Sequence, residues 1–350
     1  MKVFQCDHCG QLLFFENTFC GSCGSALGYL WRQNTLSALV ENDGALEALS
    51  SPQARYRYCA NHAHDACNWL VPDSSENAFC RSCELNHTIP DLSLPDNHAA
   101  WLKLEAAKHR LVYSLLRLNL PVKSRLTEPK TGLWFDFLAD VQGEDRVTTG
   151  HDSGLITMNI VEADPVHREA ERANMHEPYR TLIGHFRHEI GHYYWDILVA
   201  PNQDKLERFR AIFGNEQQDY QASLERHYQE GPPQNWAESY VSAYATMHAW
   251  EDWAETWAHY LHLLDTLETA YAFGLTLDAD LKAPASVKMA ADFDPYGQPD
   301  FQPILESCLP ITFAVNSLNR GMGQPDLYPF VLPRAVVEKL RFVHQLVQPD

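Results

Sequence analysis

A chain of 350 residues, 45% hydrophobic and 11% aromatic, has enough apolar side chain for one catalytic domain plus one or two small modules. Its formal net charge of -19 argues against a nucleic-acid partner, because phosphate binding needs Lys and Arg in excess. No apolar run is long enough for a membrane span, and Met1 to Cys6 lead into a cysteine motif with no signal-peptide core, so a cytoplasmic chain with reduced thiols is expected.

Of the nine cysteines, all but Cys308 fall at or before Cys83, and that asymmetry marks a boundary. Cys6, Cys9, Cys20 and Cys23 form two CxxC pairs, each on a tight turn that converges two thiolates, a pattern suited to tetrahedral zinc. The second group is less regular: Cys80 and Cys83 make one good half, and Cys59 with Cys67 makes the other, with His62 as rival to Cys67. Both groups are read as structural zinc sites, in modules spanning 1–30 and 51–96. Neither segment is basic, which weakens the usual assignment of a zinc ribbon to DNA or RNA; a protein partner for the ribbons is a possible use. Trp31 to Ser51 reads as a linker with a short helical stretch at Leu36, Leu39 and Val40, and Thr88 to Asn97 as a second connector. Cys308 has no nearby ligand partner and reads as a small buried hydrophobe.

The remainder, 97–350, is patterned as one domain. Leu102, Leu104, Leu111, Leu115 and Leu118 give Trp101 to Leu118 helical spacing. Leu133 to Ala139 and Gly154 to Ile160 are predicted strands, and Leu155 to Ile160 is a candidate edge for pairing with an extended substrate. A helix is predicted from about Glu177 to Leu198, then a polar segment from Asn202 to Gln234. Helices over Trp236 to His248 and Trp250 to Ala272 follow, as separate elements or one kinked one, and a last helix over Arg334 to Val347.

Within the Glu177–Leu198 helix stands His188-Glu189-Ile190-Gly191-His192. At 3.6 residues per turn, two histidines four apart project from one face and can reach one zinc ion, with Glu189 beside them as general base. Tyr179, Leu182, Ile183, Phe186, Ile190, Tyr193 and Ile197 stripe the other side, so the histidines should face a cleft while the stripe faces the core. Gly191 weakens the helix and is expected to admit a close backbone approach. His185 shares the ligand face.

A catalytic zinc needs a third protein ligand and an open position. Leu198 stands where a further histidine would complete a metzincin pattern, so a more distant carboxylate is expected. Glu251 and Glu255 lie one turn apart on a face with Tyr244, His248 and His262, if the helix is continuous, while Trp250, Trp253, Trp257, Leu261 and Leu264 cover the other. Glu251 is the candidate ligand and Glu255 the acceptor that orients a ligand histidine, the two being interchangeable on spacing alone. Tyr244, Tyr240, His248 and Arg320 are candidate donors to an oxyanion, with Tyr244 preferred.

The run from Glu251 to Glu255 resembles the third-ligand helix of gluzincin peptidases. Together with Arg180 to Trp195, Glu251 to His262 and the cysteine region through Asp91, the chain is similar to bacterial zinc-binding metallopeptidases with an amino-terminal zinc ribbon. The resemblance implies an α+β fold, with a mainly helical zincin-like domain and a small sheet preceded by two zinc-ribbon or knuckle modules. It also implies a zinc peptidase holding one catalytic and two structural zinc ions, acting on a peptide or protein substrate. The alternative is a zinc-stabilised binding or regulatory protein without turnover, against which an intact Glu189 argues, since a purely structural site has no use for a base.

Overall fold

A computed structural model describes residues 1–143, 145–169, 181–278 and 287–348. The chain opens on a small hairpin, β1 (Phe4–Gln5) with β2 (Leu12–Leu13), whose neighbouring turn carries Cys6 and Cys9. An antiparallel sheet follows in simple sequence order: β3 (Leu27–Leu30), β4 (Thr35–Asn42), β5 (Ala45–Ala48), β6 (Ser51–Tyr58) and β7 (Leu70–Pro72).

This sheet corrects the reading of Trp31 to Ser51 as a linker with a helical stretch. Asp43 and Gly44 both take positive φ (49° and 74°), the requirement of a tight hairpin turn between β4 and β5. Leu36 and Ala38 enter the main core, and Leu39 packs with Leu30, Tyr56 and Leu70 on a second cluster. The two cysteine groups are therefore joined by continuous sheet. Phe15 meets Tyr29 edge to face (4.9 Å), Tyr29 lies tilted against Trp69 (4.8 Å), and Phe15 reaches Tyr113 at 5.3 Å. Tyr113 belongs to α1 (Pro95–Arg117), so the amino-terminal region and the rest share one core.

The expected second connector also carries structure. After Cys83 the chain forms β8 (Asn86–Thr88), which pairs in parallel with β9 (Trp134–Leu138). The four-stranded sheet runs β10 (Gly150–Asp152), β11 (Leu155–Asn159), β9, β8. The strand read as an edge, Leu155 to Ile160, is thus interior: β9 lies on one side of it, and β10, an edge strand, on the other.

Helix α2 (Leu182–Leu198) starts where Thr181 caps it, its hydroxyl accepting from the Gly184 amide at 3.0 Å. The expected start near Glu177, and Tyr179 with it, lie outside the described residues. Phe186, Ile190 and Tyr193 of the predicted stripe are buried, and Leu182, Ile183 and Ile197 are half-buried. The polar stretch after it contains two capped helices, α3 (Gln203–Phe213) and α4 (Tyr220–Glu230).

No continuous helix covers Trp236 to His248. Short 3-10 turns stand there, and His248 ends the segment as the cap of α5 (Ala249–Phe273). A further helix, α6 (Phe301–Gly321), has no counterpart in the sequence reading. Pro310 inside it removes a backbone donor and reads as a stop, yet Phe301, Ile304, Leu305, Cys308 and Ile311 bury an i, i+3, i+4, i+7 face that holds the helix together. Cys308 is buried there, as expected. Helix α7 (Arg334–Val347) closes the fold and packs on α5. Among the described residues, no helix is long and apolar enough to cross a membrane.

Candidate metal centre and cleft

Helices α2 and α5 build the centre by packing unusually close. A Cβ on Gly191 would meet Ala254 Cα and Trp257 Cβ, each at 3.1 Å, so the segment that Gly191 admits is α5 itself. Trp253 locks the pair, its indole N–H donating to the Gly191 carbonyl at 2.7 Å. Trp253 and Trp257 are fully buried behind this contact, as the sequence led us to expect. Trp250 is not: it turns to the other side, lines the cleft and lies 4.0 Å from the ring of His192.

Across this contact the Nε2 atoms of His188 and His192 stand 3.2 Å apart. Glu251 brings Oε2 to 2.9 Å from His188 Nε2 and Oε1 to 3.5 Å from His192 Nε2. Three atoms able to ligate a metal, two on α2 and one on α5, thus converge, with Glu251 and His192 buried. Glu255 takes a different position. His188 donates Nδ1–H to Glu255 Oε1 at 2.7 Å, which fixes the tautomer and leaves the Nε2 lone pair turned toward the other two ligand atoms. Ser242 donates to the second oxygen of Glu255 at 2.6 Å.

The charges follow from this packing. Burial disfavours the ionised Glu251 carboxyl, but the flanking rings of His192 and His188 outweigh it and hold its pKa well below the usual carboxylate range. Glu189 is buried as well; burial pushes its pKa up, and hydrogen bonding to His185 with the nearby His188 brings the result below the ordinary value. His185 bridges two carboxylates, 3.4 Å from Glu189 and 3.5 Å from Glu162. Burial opposes its protonation, yet these two partners raise it to about 9.

All these groups line a cleft of about 600 Å³. Tyr244 lines it, with its ring 6.0 Å from that of His188. Tyr240, His248 and Arg320 do not reach it. The Tyr240 ring packs under the Lys339 ammonium (4.2 Å), and Arg320 pairs with Asp326 on the surface. His248 is used twice over as a cap: Nδ1 accepts from the Trp250 amide at 3.1 Å, and Nε2–H donates to the Gln218 carbonyl at 3.1 Å. Three residues were missed by the sequence reading. Tyr220 donates its hydroxyl to Glu251 Oε1 at 2.9 Å, Ser242 secures Glu255, and His151 stacks 6.2 Å from His192. Nothing local marks them, since each is far in sequence from the group it contacts.

The cysteines gather as paired. Cys6, Cys9, Cys20 and Cys23 lie within one metal's reach of each other, as do the buried Cys59, Cys67, Cys80 and Cys83. His62 stays out of the second group, since its ring stacks on Tyr58 and its Nδ1–H donates to the Cys67 carbonyl at 2.9 Å. His109 and Glu105 of α1 stand beside Cys83, with His109 Nε2 3.5 Å from its sulfur. Such all-thiolate groups fit zinc ribbons.

Comparison with known proteins agrees with this geometry. Residues 3–94 match the family described as "zinc-ribbon domain", and residues 97–346 match the family described as "Putative zinc-binding metallo-peptidase". Proteins of Mycobacterium tuberculosis and Mycobacterium bovis, each named as an uncharacterized protein, are 46% identical over 347 residues, covering 99% of this chain and 95% of theirs. No solved structure matches the chain significantly. With the cleft, the convergent histidines and the cysteine clusters in place, the chain belongs to the family described as "Putative zinc-binding metallo-peptidase", with a zinc-ribbon domain before it.

Proposed function

We propose that this chain is a zinc-dependent peptidase of gluzincin type with a zincin-like catalytic domain. His188, His192 and Glu251 would hold the catalytic zinc, and the two cysteine groups would hold structural zinc. The observation that carries the reading is the convergence of two imidazole Nε2 atoms and a buried carboxylate beside a second buried carboxylate, Glu189, at the floor of an open cleft. A donor set of two nitrogens and one oxygen suits zinc, and the cleft leaves room for a fourth position.

Held by His188, His192 and Glu251, zinc would supply Lewis acidity toward a scissile carbonyl and the attacking water near neutral pH. Glu189, held as a carboxylate by His185, takes the attacking water's proton and delivers it to the leaving amine. Glu255 orients His188 through the Nδ1–H bond, and Ser242 steadies Glu255. Tyr220 donates a hydrogen bond to Glu251, and Tyr244, which lines the cleft beside the His188 ring, is the phenol to meet the oxyanion. An extended substrate would pair with β10, the edge strand whose Gly150 and His151 line the cleft.

The test is Glu189→Gln. The expected outcome is a protein with unchanged zinc content and folding that cleaves peptides about 10²–10⁴-fold more slowly, the usual worth of general acid–base catalysis. Full activity in that variant would remove Glu189 from the mechanism.

A further inference from the structure

One wall of the cleft is a helix that buries little surface of its own. Helix α4 has 11 residues, and among them only Ser223 is buried. A helix of this length is marginal without tertiary support. Its supports are few and concentrated at the metal centre: Tyr220 donates to Glu251 and its ring lies 5.4 Å from His248, and His227 meets Tyr244 edge-on at 5.9 Å.

What α4 shows the cleft is a single stripe. Tyr220, Leu224 and Tyr228 stand at i, i+4 and i+8 and all line it. The charged residues of the helix, Glu225, Arg226 and Glu230, are exposed and line no part of the cleft. Tyr228 is 62% exposed, a large aromatic ring left open to water beside a metal centre. Asp219 caps the helix at its start, and Gly231, in positive φ (72°), ends it.

From these features we infer that α4 is the specificity wall of the cleft, selecting an apolar or aromatic side chain next to the group bound at the metal centre. The stripe offers a ring, a branched aliphatic and a second ring, with no charge to meet a charged substrate residue and ample apolar surface to bury a phenyl or isobutyl group. Seating such a side chain covers Leu224 and Tyr228 and supplies the apolar burial that α4 lacks. The helix is then ordered by the substrate it selects. This inference rests on the reading of His188, His192 and Glu251 as a zinc site in a peptidase.

Binding, not cleavage, tests it. Alanine hydroxamate and phenylalanine hydroxamate share one metal-chelating group and differ by a phenyl ring. On the zinc-loaded full chain, the phenylalanine compound is expected to bind about tenfold more tightly or better, the effect of burying a ring. It should also slow amide hydrogen exchange across 220–230, where the alanine compound does not. Leu224→Asp and Tyr228→Ala, both at positions open enough to tolerate change, should each cut that ratio to about threefold or less while alanine hydroxamate binds as before. Equal affinities in the unaltered chain, or a ratio that survives both substitutions, overturns the inference. Failure of both hydroxamates to bind overturns it together with the metal reading. Intact selectivity in a protein that cleaves no peptide overturns the peptidase reading alone.

Discussion

Two kinds of cluster that could hold a metal stand in this chain, and they differ in what surrounds them. The second cysteine group is closed: all four thiols are buried, the backbone amides of Trp69, Cys80 and Cys83 point at sulfurs, and His109 and Glu105 press in from α1. The histidine–glutamate group is open: His188 is part-exposed, and about 600 Å³ of cleft lies over it. A closed shell of four thiolates spends its donor atoms on holding a fold, whereas three ligands beside a cavity leave a position for chemistry. Titratable neighbours stand at both: Glu105 and His109 lie buried against Cys83, whereas Glu189, His185 and Glu162 line the open cleft in a row.

The comparison breaks most severely at a cysteine. Cys59→Ser should lose the second structural zinc and, because β8 runs directly from Cys83 into the cleft's sheet, also lower cooperative unfolding of the whole chain. The measurement is zinc content with a thermal melt. Loss of zinc with an unchanged melting temperature would show that the ribbon is an appendage. The unaltered chain should hold three zinc ions, of which mild chelation removes one, from the open site, and leaves the fold standing.

A smaller effect is expected at the helix crossing. Gly191→Ala places a methyl 3.1 Å from α5 backbone and from Trp257, so one helix must shift. Overpacking of this kind costs about 1–3 kcal/mol. Denaturant unfolding should report it, together with weaker zinc retention at the open site and normal retention at the cysteines. Ser242→Ala should be milder still. It removes one hydrogen bond to Glu255 and should lower zinc affinity at the open site about tenfold, as loss of an outer hydrogen-bonding partner does. Competition with a chelator reads it, and an unchanged affinity would mean that Glu255 needs no help in orienting His188.

Much of this centre was legible in the residues alone. The spacing of His188 and His192, the choice of Glu251 and Glu255 as a pair, and both cysteine groups follow from local periodicity, because each depends on how a helix or a tight turn places neighbours three or four residues apart. Spacing leaves Glu251 and Glu255 equivalent; their positions differ only because α5 crosses α2 at Gly191, bringing one carboxylate to two Nε2 atoms and the other to one Nδ1. The sheet between the cysteine groups was misread although Asp43-Gly44 marks its turn, since Leu36, Leu39 and Val40 fit a helix spacing equally well over so short a span. Tyr220, Ser242 and Trp250 could not be placed from their surroundings in the chain. Their partners lie on other elements, and contacts of that range are set by packing.

The sequence by itself determined which atoms are available to a metal and on which helices they ride. Tertiary structure alone decided which of them meet, which strand forms the edge, and which helix walls the cleft. The physical reason is the reach of each interaction: backbone hydrogen bonding and capping act within a few residues, while the close crossing of α2 and α5 and the lone stripe of α4 exist only once distant segments share a core.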